Sequence, residues 1–396
     1  MSGARVFDVV IVGAGLPGLS LAAALADSGL AVALCDRRVV AAPVAAPVVD
    51  AEGFDTRIYA VSPGSAAFLD RIGVWSGLCC ERIAAVESMR VCGDAGGALE
   101  FSAYDLHERA LAWIVEERAL RAALVARVHA AGTAIVAPAA FTALAFERDH
   151  AALALDDGGT LRARLVVGAD GLHSWIRATA GMRARPAAYA QTAIVANFDC
   201  EREHHGCARQ WFMADGGVLA WLPLPGRRIS IVWSAPVALA QALAALPAAE
   251  LALRVGEAGQ NALGALTLRD GPASFPLAFL RLPSVVAPRL ALIGDAAHGV
   301  HPLAGQGVNL GFGDASALAG VLRARGPLTD AGSPLLLARY ARQRAGPVLA
   351  MQAVTDVLAR TFGVRRRWLS LLRNRGMATI ERFPLIKRAL AQPALR

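Results

Sequence analysis

The stretch Phe7 to Asp36 reads FDVVIVGAGLPGLSLAAALADSGLAVALCD. The apolar run before Gly13 predicts a strand, the run after Gly18 predicts a helix, and a second apolar run ends at the acid Asp36. The three glycines of GAGLPG allow a tight turn and close backbone approach to a pyrophosphate, and the acid suits ribose hydroxyls. The stretch therefore predicts a dinucleotide-binding βαβ unit. An acid at Asp36 favours FAD or NAD over a 2′-phosphorylated nucleotide.

A second stretch, Leu290 to Leu310, reads LALIGDAAHGVHPLAGQGVNL and combines the same elements. It predicts a buried strand ending at Ile293, an acid at Asp295, a glycine-rich loop and a helix from Gln306 to Leu322. The start of a helix carries unpaired N–H groups and partial positive charge, which suits the negative edge of a reduced flavin. Asp295 is placed to accept hydrogen bonds from ribityl hydroxyls.

A third strand ends in an acid within RLVVGADG, residues 164–171. Asp170 and Asp295 are both predicted at the carboxyl ends of strands, where α/β sheets bind ligands. Arg57 stands shortly before a helix start at Ser62-Pro63 and could reach a flavin pyrophosphate. Arg118, in the first turn of a predicted helix 116–131, is a second candidate. For both arginines the alternative is a solvated surface side chain.

The chain has 396 residues, enough for two domains, and 55% of them are hydrophobic, with a mean hydropathy of +0.44. Two charge-free runs, residues 9–26 and 229–249, are interrupted by glycine or proline, so neither predicts a membrane span. The N-terminus has no cationic region before an apolar core, so we do not expect a secretory signal. Six cysteines without a CxxC pair indicate free thiols in a reducing cytoplasm.

The positive charge is concentrated in one place. The net charge is +8, yet residues 360–396 alone contain ten basic residues and one acid. Such a tail suggests an anionic partner: a membrane surface, an acidic protein or, as the weakest option, nucleic acid, for which no recognition motif is present. Within the tail, Trp368, Leu369, Leu371 and Leu372 stand among arginines, as in an interfacial amphipathic helix. The alternative is a helix packed on the domain.

The predicted fold is α/β, with a discontinuous Rossmann-like domain, an inserted strand-rich domain and a helical tail. Alternating stretches containing Trp211, Trp221 and Trp233 make up the strand-rich part, whose aromatics either line a hydrophobic pocket or, as we favour, form sheet core. Residues 238–257 predict one alanine-rich helix. The predicted boundaries are 1–83, 104–186 and 276–360 for the first domain, 84–103 and 187–275 for the second, and 361–396 for the tail.

The motifs above, in their order, resemble the single-component flavoprotein aromatic hydroxylases of the para-hydroxybenzoate hydroxylase fold group. Within that group, further segments are similar to the ubiquinone-biosynthesis hydroxylases, which act on polyprenylated phenols. The segments that carry this resemblance are Asp55-Thr56-Arg57, Trp113-Ile114-Val115-Glu116, Leu222-Pro223-Leu224-Pro225 and the run from His301 to Gly311.

The resemblance implies an FAD enzyme that is reduced by NAD(P)H and hydroxylates a phenol with molecular oxygen through a flavin C4a-hydroperoxide. It places the run from Pro302 to Gly307 beside the isoalloxazine of the flavin. His301, in the same loop, is a candidate contact of the substrate, and His301 and Pro302 are the predicted catalytic residues. Family members often carry Glu-Asn where this chain has Glu117-Arg118, which leaves the contact of Arg118 open. The cofactor-binding residues expected here are Gly13, Gly15, Gly18, Asp36, Arg37, Arg57, Arg118, Asp170, Asp295, Pro302, Gly305, Gln306, Gly307 and Asn309.

Other functions fit parts of this pattern. His298 and His301 have a short spacing, but no further carboxylate or cysteine completes a metal set, so no metal is expected and His298 is predicted to support its loop by hydrogen bonding. Hydroxylation of a soluble aromatic substrate stays open, whereas a flavin halogenase lacks its Trp-x-Trp-x-Ile-Pro run. A flavin-binding scaffold of a ubiquinone-synthesis complex, without turnover, is the alternative from a different functional class.

Overall fold

The computed structural model describes residues 5–41, 53–213, 215–299 and 307–363, together with 374, 375, 381, 383, 387, 388, 392 and 395; for 185–189 and 354–363 it describes the backbone alone. The predicted α/β class is confirmed, with eighteen strands and eight helices in these residues. The strands are β1 (Arg5–Val12), β2 (Val32–Cys35), β3 (Ile58–Val61), β4 (Ala84–Val86), β5 (Ser88–Cys92), β6 (Ala98–Ser102), β7 (Ala112–Glu116), β8 (Ala134–Val136), β9 (Phe141–Phe146), β10 (Ala151–Leu155), β11 (Thr160–Gly168), β12 (Arg185–Cys200), β13 (Cys207–Phe212), β14 (Val218–Leu224), β15 (Arg228–Pro236), β16 (Leu266–Arg281), β17 (Val286–Ala287) and β18 (Leu290–Leu292).

The helices begin and end close to the predicted signals. Ser62 caps α2, its hydroxyl accepting a hydrogen bond from the backbone N–H of Ser65, and Pro63 occupies the first turn. The predicted single helix over residues 238–257 is wrong: two helices form, because Pro247 has no N–H to continue the first and instead precedes the second. The helices are α1 (Leu16–Leu25), α2 (Pro63–Arg71), α3 (Glu117–Ala130), α4 (Trp175–Thr179), α5 (Val237–Ala244), α6 (Ala248–Ala258), α7 (Gly307–Arg323) and α8 (Pro334–Gly363).

An eight-stranded sheet contains the predicted βαβ unit, in the order β17-β18-β11-β1-β2-β8, with β10 paired to β11 and β9 paired to β10. Its central strands are parallel, so Val12, Cys35, Gly168 and Leu292 end at the same edge. α1 is buried nearly all round, because α3 and α7 pack against it over this sheet. The strand-ending acids therefore come together, although they are far apart in sequence.

A seven-stranded sheet forms the strand-rich part, in the order β16-β12-β15-β14-β13-β5-β6. The turn of residues 93–97 joins β5 and β6 in a hairpin. One face packs on α5 and α6 and contains Trp211, Trp221 and Trp233, which are buried; these tryptophans are sheet core. A third, three-stranded sheet joins β3, β7 and β4. β4, which the predicted boundaries assigned to the strand-rich domain, thus pairs with β7 of the other.

Three of the described residues of the basic tail, Asn374, Glu381 and Lys387, contact the β5–β6 hairpin. The Asn374 side-chain oxygen accepts from the N–H of Gly97 at 2.7 Å, and its amide donates to Asp94. Glu381 accepts from the N–H of Glu100 and pairs with Lys387 at 2.8 Å. None of the helices that can be described in this chain has the length and apolar character to span a bilayer.

Candidate flavin and substrate site

A cavity of about 700 Å³ lies between the carboxyl ends of the parallel strands and the seven-stranded sheet. One part of its wall carries residues 13–18, which we call the glycine loop, and the acids Asp36, Asp170 and Asp295. The opposite part carries apolar side chains of the sheet, namely Ala193, Val195, Val232, Phe275 and Leu277. A ligand with a charged, hydroxylated portion and a flat apolar portion would match this division.

The three glycines of the loop are needed for three different reasons. Gly13 has φ +111°, and a Cβ there would lie 2.3 Å from the carbonyl oxygen of Ala169. A Cβ on Gly18 would lie 1.9 Å from the carbonyl oxygen of Gly13, so this glycine lets α1 pack closely on the loop. Gly15 has no neighbour nearer than 3.9 Å and lines the cavity, so it keeps space open for a ligand. A pyrophosphate-binding loop requires these three roles: a tight turn, space for the ligand and close packing of the helix.

Asp36 stabilises the loop and also faces the cavity. One of its oxygens accepts from the N–H of Ala14 at 2.7 Å, and the other accepts from the N–H of Arg38 at 2.8 Å. Arg37 and Arg38 line the cavity beside it. A carboxylate with spare lone pairs at this position can accept hydrogen bonds from ribose hydroxyls, and the neighbouring cations suit an anionic diphosphate.

Asp170 lines the same cavity, but its oxygens are engaged by its own chain. It accepts from the hydroxyl of Ser174 at 2.5 Å and from the N–H of Ile176 at 3.1 Å, which fixes the start of α4. Nearby, Phe141 and Trp175 stack with ring centroids 5.9 Å apart, and both line the cavity. The Asp170 region therefore offers a rigid wall containing an aromatic pair.

Asp295 is exposed to the cavity, although protein surrounds it closely. Desolvation raises the pKa of its carboxyl group above the ordinary value, against the opposing charges of His298 and Arg57. Gly307 and Val308, at the start of α7, line the cavity as well. The predicted pairing of an acid with a helix start is thus present at one end of the site. His301, Pro302, Gly305 and Gln306 lie outside the described residues.

Arg57 spans the two parts of the site. Its guanidinium pairs with Glu117 at 2.8 Å and lies 5.6 Å from the ring centroid of Phe275 on the substrate side. Tyr59, two residues on, also lines the cavity, and burial raises the pKa of its phenol to about 12. At neutral pH its phenol therefore stays protonated and can donate a hydrogen bond.

Arg118 does not line the cavity. It pairs with Glu116 at 2.8 Å and donates to the carbonyl of Gly53, away from the glycine loop. Arg121, which the sequence interpretation missed, donates to the carbonyl of Ala14 at 2.5 Å and lines the cavity. The two arginines stand three residues apart on α3, almost one helical turn. In the sequence, both arginines follow closely on the end of β7. That spacing predicts an arginine near the glycine loop, but it does not decide which of the two faces it.

Asn309 has an internal role in the described structure. It is buried, donates to the carbonyl of Ala60 at 2.8 Å and accepts from the N–H of Ser62 at 3.0 Å. These bonds join α7 to the strand β3 that carries Tyr59. Within the described part of the chain, no group of three His, Cys, Asp or Glu side chains is arranged to hold a metal ion.

Comparison with known proteins agrees with this geometry. Residues 6–357 match the family model described as FAD binding domain. The chain is 39% identical to ubiquinone hydroxylase UbiL of Rhodospirillum rubrum, over 99% of this chain and 90% of that protein. It is 34% identical to 3-demethoxyubiquinol 3-hydroxylase of Escherichia coli, over 98% of each. The solved structure of PqsL of Pseudomonas aeruginosa with 2-aminobenzoylacetate is 25% identical, with a TM-score of 0.76, over 93% of this chain and all of that chain.

Proposed function

The chain belongs to the FAD binding domain family, and on that basis we propose that it hydroxylates the aromatic ring of a polyprenylated phenol in ubiquinone biosynthesis. It is an FAD-dependent aromatic monooxygenase. One observation carries the choice of substrate class: a single cavity joins the glycine loop and its acids to apolar side chains of the sheet. A hydrophobic phenol on that sheet would lie against the flat end of a bound flavin.

The residues present fit FAD. Gly15 leaves room where a Cβ would project into the cavity, Asp36 would accept the ribose hydroxyls, and Asp295 would accept hydrogen bonds from the ribityl chain. Arg37, Arg57 and Arg121 would balance the diphosphate. Bound FAD would supply reducing equivalents and the activation of oxygen. We propose Gly305, Gln306 and Gly307 as further contacts of the flavin.

On the substrate side, the protein orients the phenol and excludes water. Val195 and Val232 are register partners on neighbouring strands, and both line the cavity, so they present a flat apolar surface to an aromatic ring. Phe275 extends this surface toward Arg57. Water exclusion matters because activated oxygen is otherwise lost without hydroxylation. His301 and Pro302 remain our proposal for the residues next to the reacting ring.

NAD(P)H is the proposed reductant, since a flavin of this kind needs an external hydride donor. Anaerobic mixing of the yellow holoenzyme with NADH or NADPH tests this directly. Bleaching of the flavin absorbance with one nucleotide, accelerated by the phenol, is expected. Failure of both nucleotides to bleach the flavin, with chemical reduction still possible, would contradict the choice of donor and leave the hydroxylase function standing.

The substrate is tested by product analysis in cells that each lack one ubiquinone ring-hydroxylation step. Supplying this chain is expected to restore the quinone in one of the strains, as seen by mass spectrometry. Asp295→Ala should abolish the rescue because it removes the proposed hydrogen bonds to the ribityl chain of FAD. Val195→Trp should abolish it through the substrate side while the purified protein stays yellow, because the added ring fills the apolar end of the cavity.

Three outcomes would contradict this proposal or part of it. A folded yellow protein that rescues no strain, yet consumes oxygen with another aromatic compound, would indicate a soluble substrate. Stoichiometric FAD without any substrate-stimulated oxygen consumption would indicate a scaffold. Val195→Trp that rescues as well as the parent chain would remove the sheet face from the substrate site.

For the basic tail we propose peripheral contact with an anionic membrane surface, such as the inner membrane, that contains the substrate. The tail has ten basic residues and one acid over residues 360–396, and its described residues Asn374 and Lys387 lie on the β5–β6 hairpin. Flotation with anionic vesicles but not with neutral ones is expected for the full chain. A chain truncated after Gly363 that still floats would contradict the proposal.

A further inference from the structure

Behind the short turn Gly294–Ala296, which we call the Asp295 turn, lies a group of three ionisable side chains, namely His298, Asp314 and the partly buried Arg344. The ring nitrogen Nε2 of His298 lies 2.6 Å from Oδ2 of Asp314, and Nε of Arg344 lies 2.6 Å from Oδ1 of the same carboxylate. Asp314 and His298 are both below 5% exposed. We call this group the charge array. It does not line the cavity, yet it connects the two cavity-lining elements at the flavin end.

The array connects three segments of the chain. Asp314 lies on α7 and also accepts from the backbone N–H of Gly294 at 2.9 Å, so it holds the turn before Asp295. Arg344, on α8, donates to the carbonyl of Leu310 at 3.1 Å. Asp295 and the first residues of α7 both face the cavity. Their relative position is therefore set by hydrogen bonds to Asp314.

The packing around the Asp295 turn leaves little room for the turn or α7 to move relative to the glycine loop. A Cβ on Gly294 would lie 2.9 Å from Cγ of Pro17, and one on Gly311 would lie 2.7 Å from the same atom. Pro17 belongs to the glycine loop, so this loop, the Asp295 turn and α7 meet at one point. A shift in the array would therefore be transmitted to the ligand-binding loop.

The charge state of the array follows from its surroundings. Burial lowers the pKa of His298, and the charge of Arg344 lowers it further. The adjacent carboxylate of Asp314, its hydrogen bond and, to a smaller extent, Asp295 raise this pKa. These raising contributions are the larger, so the pKa of His298 is raised. Burial opposes ionisation of Asp314, yet His298 and Arg344 together lower its pKa. The 2.6 Å contact with a buried carboxylate therefore favours the charged form of His298.

We propose that the charge array is a positioning element, which holds the Asp295 turn against α7 and, through the positive charge of His298, favours reduced over oxidised FAD. Reduction adds negative charge to a flavin, and a fixed cation in a low-dielectric interior stabilises that charge more than it would in water. The inference rests on the proposed flavin function only in requiring FAD in the cavity. It does not depend on the identity of the phenol.

The experiment uses the holoenzyme without substrate and compares the parent chain with His298→Gln. Glutamine can still donate a hydrogen bond to Asp314, but it carries no charge. The preference for reduced FAD is expected to fall about tenfold, a shift of about −30 mV for a two-electron couple. Asp330→Asn is the matched control, because it removes a carboxylate paired with Arg289 at 2.7 Å outside the cavity wall, and it should leave the potential unchanged.

An unchanged midpoint potential in folded, FAD-loaded His298→Gln would overturn the proposal. If that variant does not fold, ¹⁵N-histidine spectra of the parent chain decide instead. At least one of the eight histidines should lose its second ring proton at a higher pH than a free imidazole does, and a titration in which none of the eight does so would overturn it. If the potential of His298→Gln shifts as expected but the parent chain hydroxylates no polyprenylated phenol, the result would count against the proposed function alone.

Discussion

Replacement of Gly15 by alanine should weaken FAD binding while leaving the stability of the folded protein nearly unchanged. Gly15 has φ −73° and ψ 175°, which alanine adopts without strain, and the nearest atom to an added Cβ would be 3.9 Å away. The lower chain entropy of unfolded alanine favours the variant, whereas alanine is a poorer helix N-cap than glycine. We therefore expect the stability of the FAD-free protein to change by less than about 1 kcal/mol.

FAD binding should respond far more strongly. Gly15 lines the cavity, so the new methyl group would occupy space that the cofactor backbone needs. Overpacking of this kind costs about 1–3 kcal/mol, which corresponds to a dissociation constant raised roughly 5- to 150-fold. Titration of FAD fluorescence gives the dissociation constant, and thermal unfolding of the FAD-free protein gives the stability.

Two variants bracket this result. Gly320→Ala, within α7, has no atom within 4 Å of the new Cβ and should add about 1 kcal/mol of stability with unchanged FAD affinity. Gly18→Ala should lose the folded state itself, because its Cβ would lie 1.9 Å from the Gly13 carbonyl oxygen. Wild-type FAD affinity in folded Gly15→Ala would refute the placement of the cofactor against this loop.

Three further predictions follow from contacts outside the glycine positions. Arg121→Ala should weaken FAD binding by about 1.5–3 kcal/mol in the same titration, because it removes a cation and the bond to Ala14; an unchanged affinity would contradict its assignment. Asn374→Ala should make tryptic cleavage of the tail roughly 5- to 30-fold faster, since about 1–2 kcal/mol of docking is lost; equal rates would show that the hairpin contact does not hold the tail. Because the folded pKa of His298 is raised, its stabilisation is fully present below about pH 6.5 and is lost as pH rises through the folded pKa. Urea unfolding at pH 6 and pH 9 should therefore show a larger fall in stability for the parent chain than for His298→Gln, and parallel falls would contradict this.

Features that depend on a few consecutive residues were predictable. The glycine loop after β1 and the Ser62 cap of α2 follow from backbone geometry and capping chemistry, which act within one or two turns. The meeting of Asp36, Asp170 and Asp295 also followed, because the carboxyl ends of parallel strands share one edge of the sheet. Sequence patterns were therefore sufficient where interacting residues are near in sequence, or where the parallel sheet brings strand ends together.

Features set by packing were not predictable. The choice between Arg118 and Arg121 depends on the rotation of α3 against α1, which the helical pattern leaves open by one turn. Asp314, the partner of His298, and Arg344, which bonds to the same carboxylate, lie on two later helices, and the local pattern around His298 does not identify them. Pro247 did carry a signal, but the alanine-rich composition around it outweighed that signal in the prediction of one helix.

The order of strands in the eight-stranded sheet has a consequence for synthesis on the ribosome. β1 has β2 as an early neighbour, but its other partner, β11, emerges about 150 residues later, and β18 follows more than 100 residues after that. At roughly 5–20 residues per second, β1 waits on the order of ten seconds or more with one edge unpaired. Non-local parallel pairing of this kind is slow and exposes strand edges to aggregation. Nascent chains of this protein should therefore need chaperone protection until β11 has left the exit tunnel, and FAD supplied earlier would find no complete site to bind.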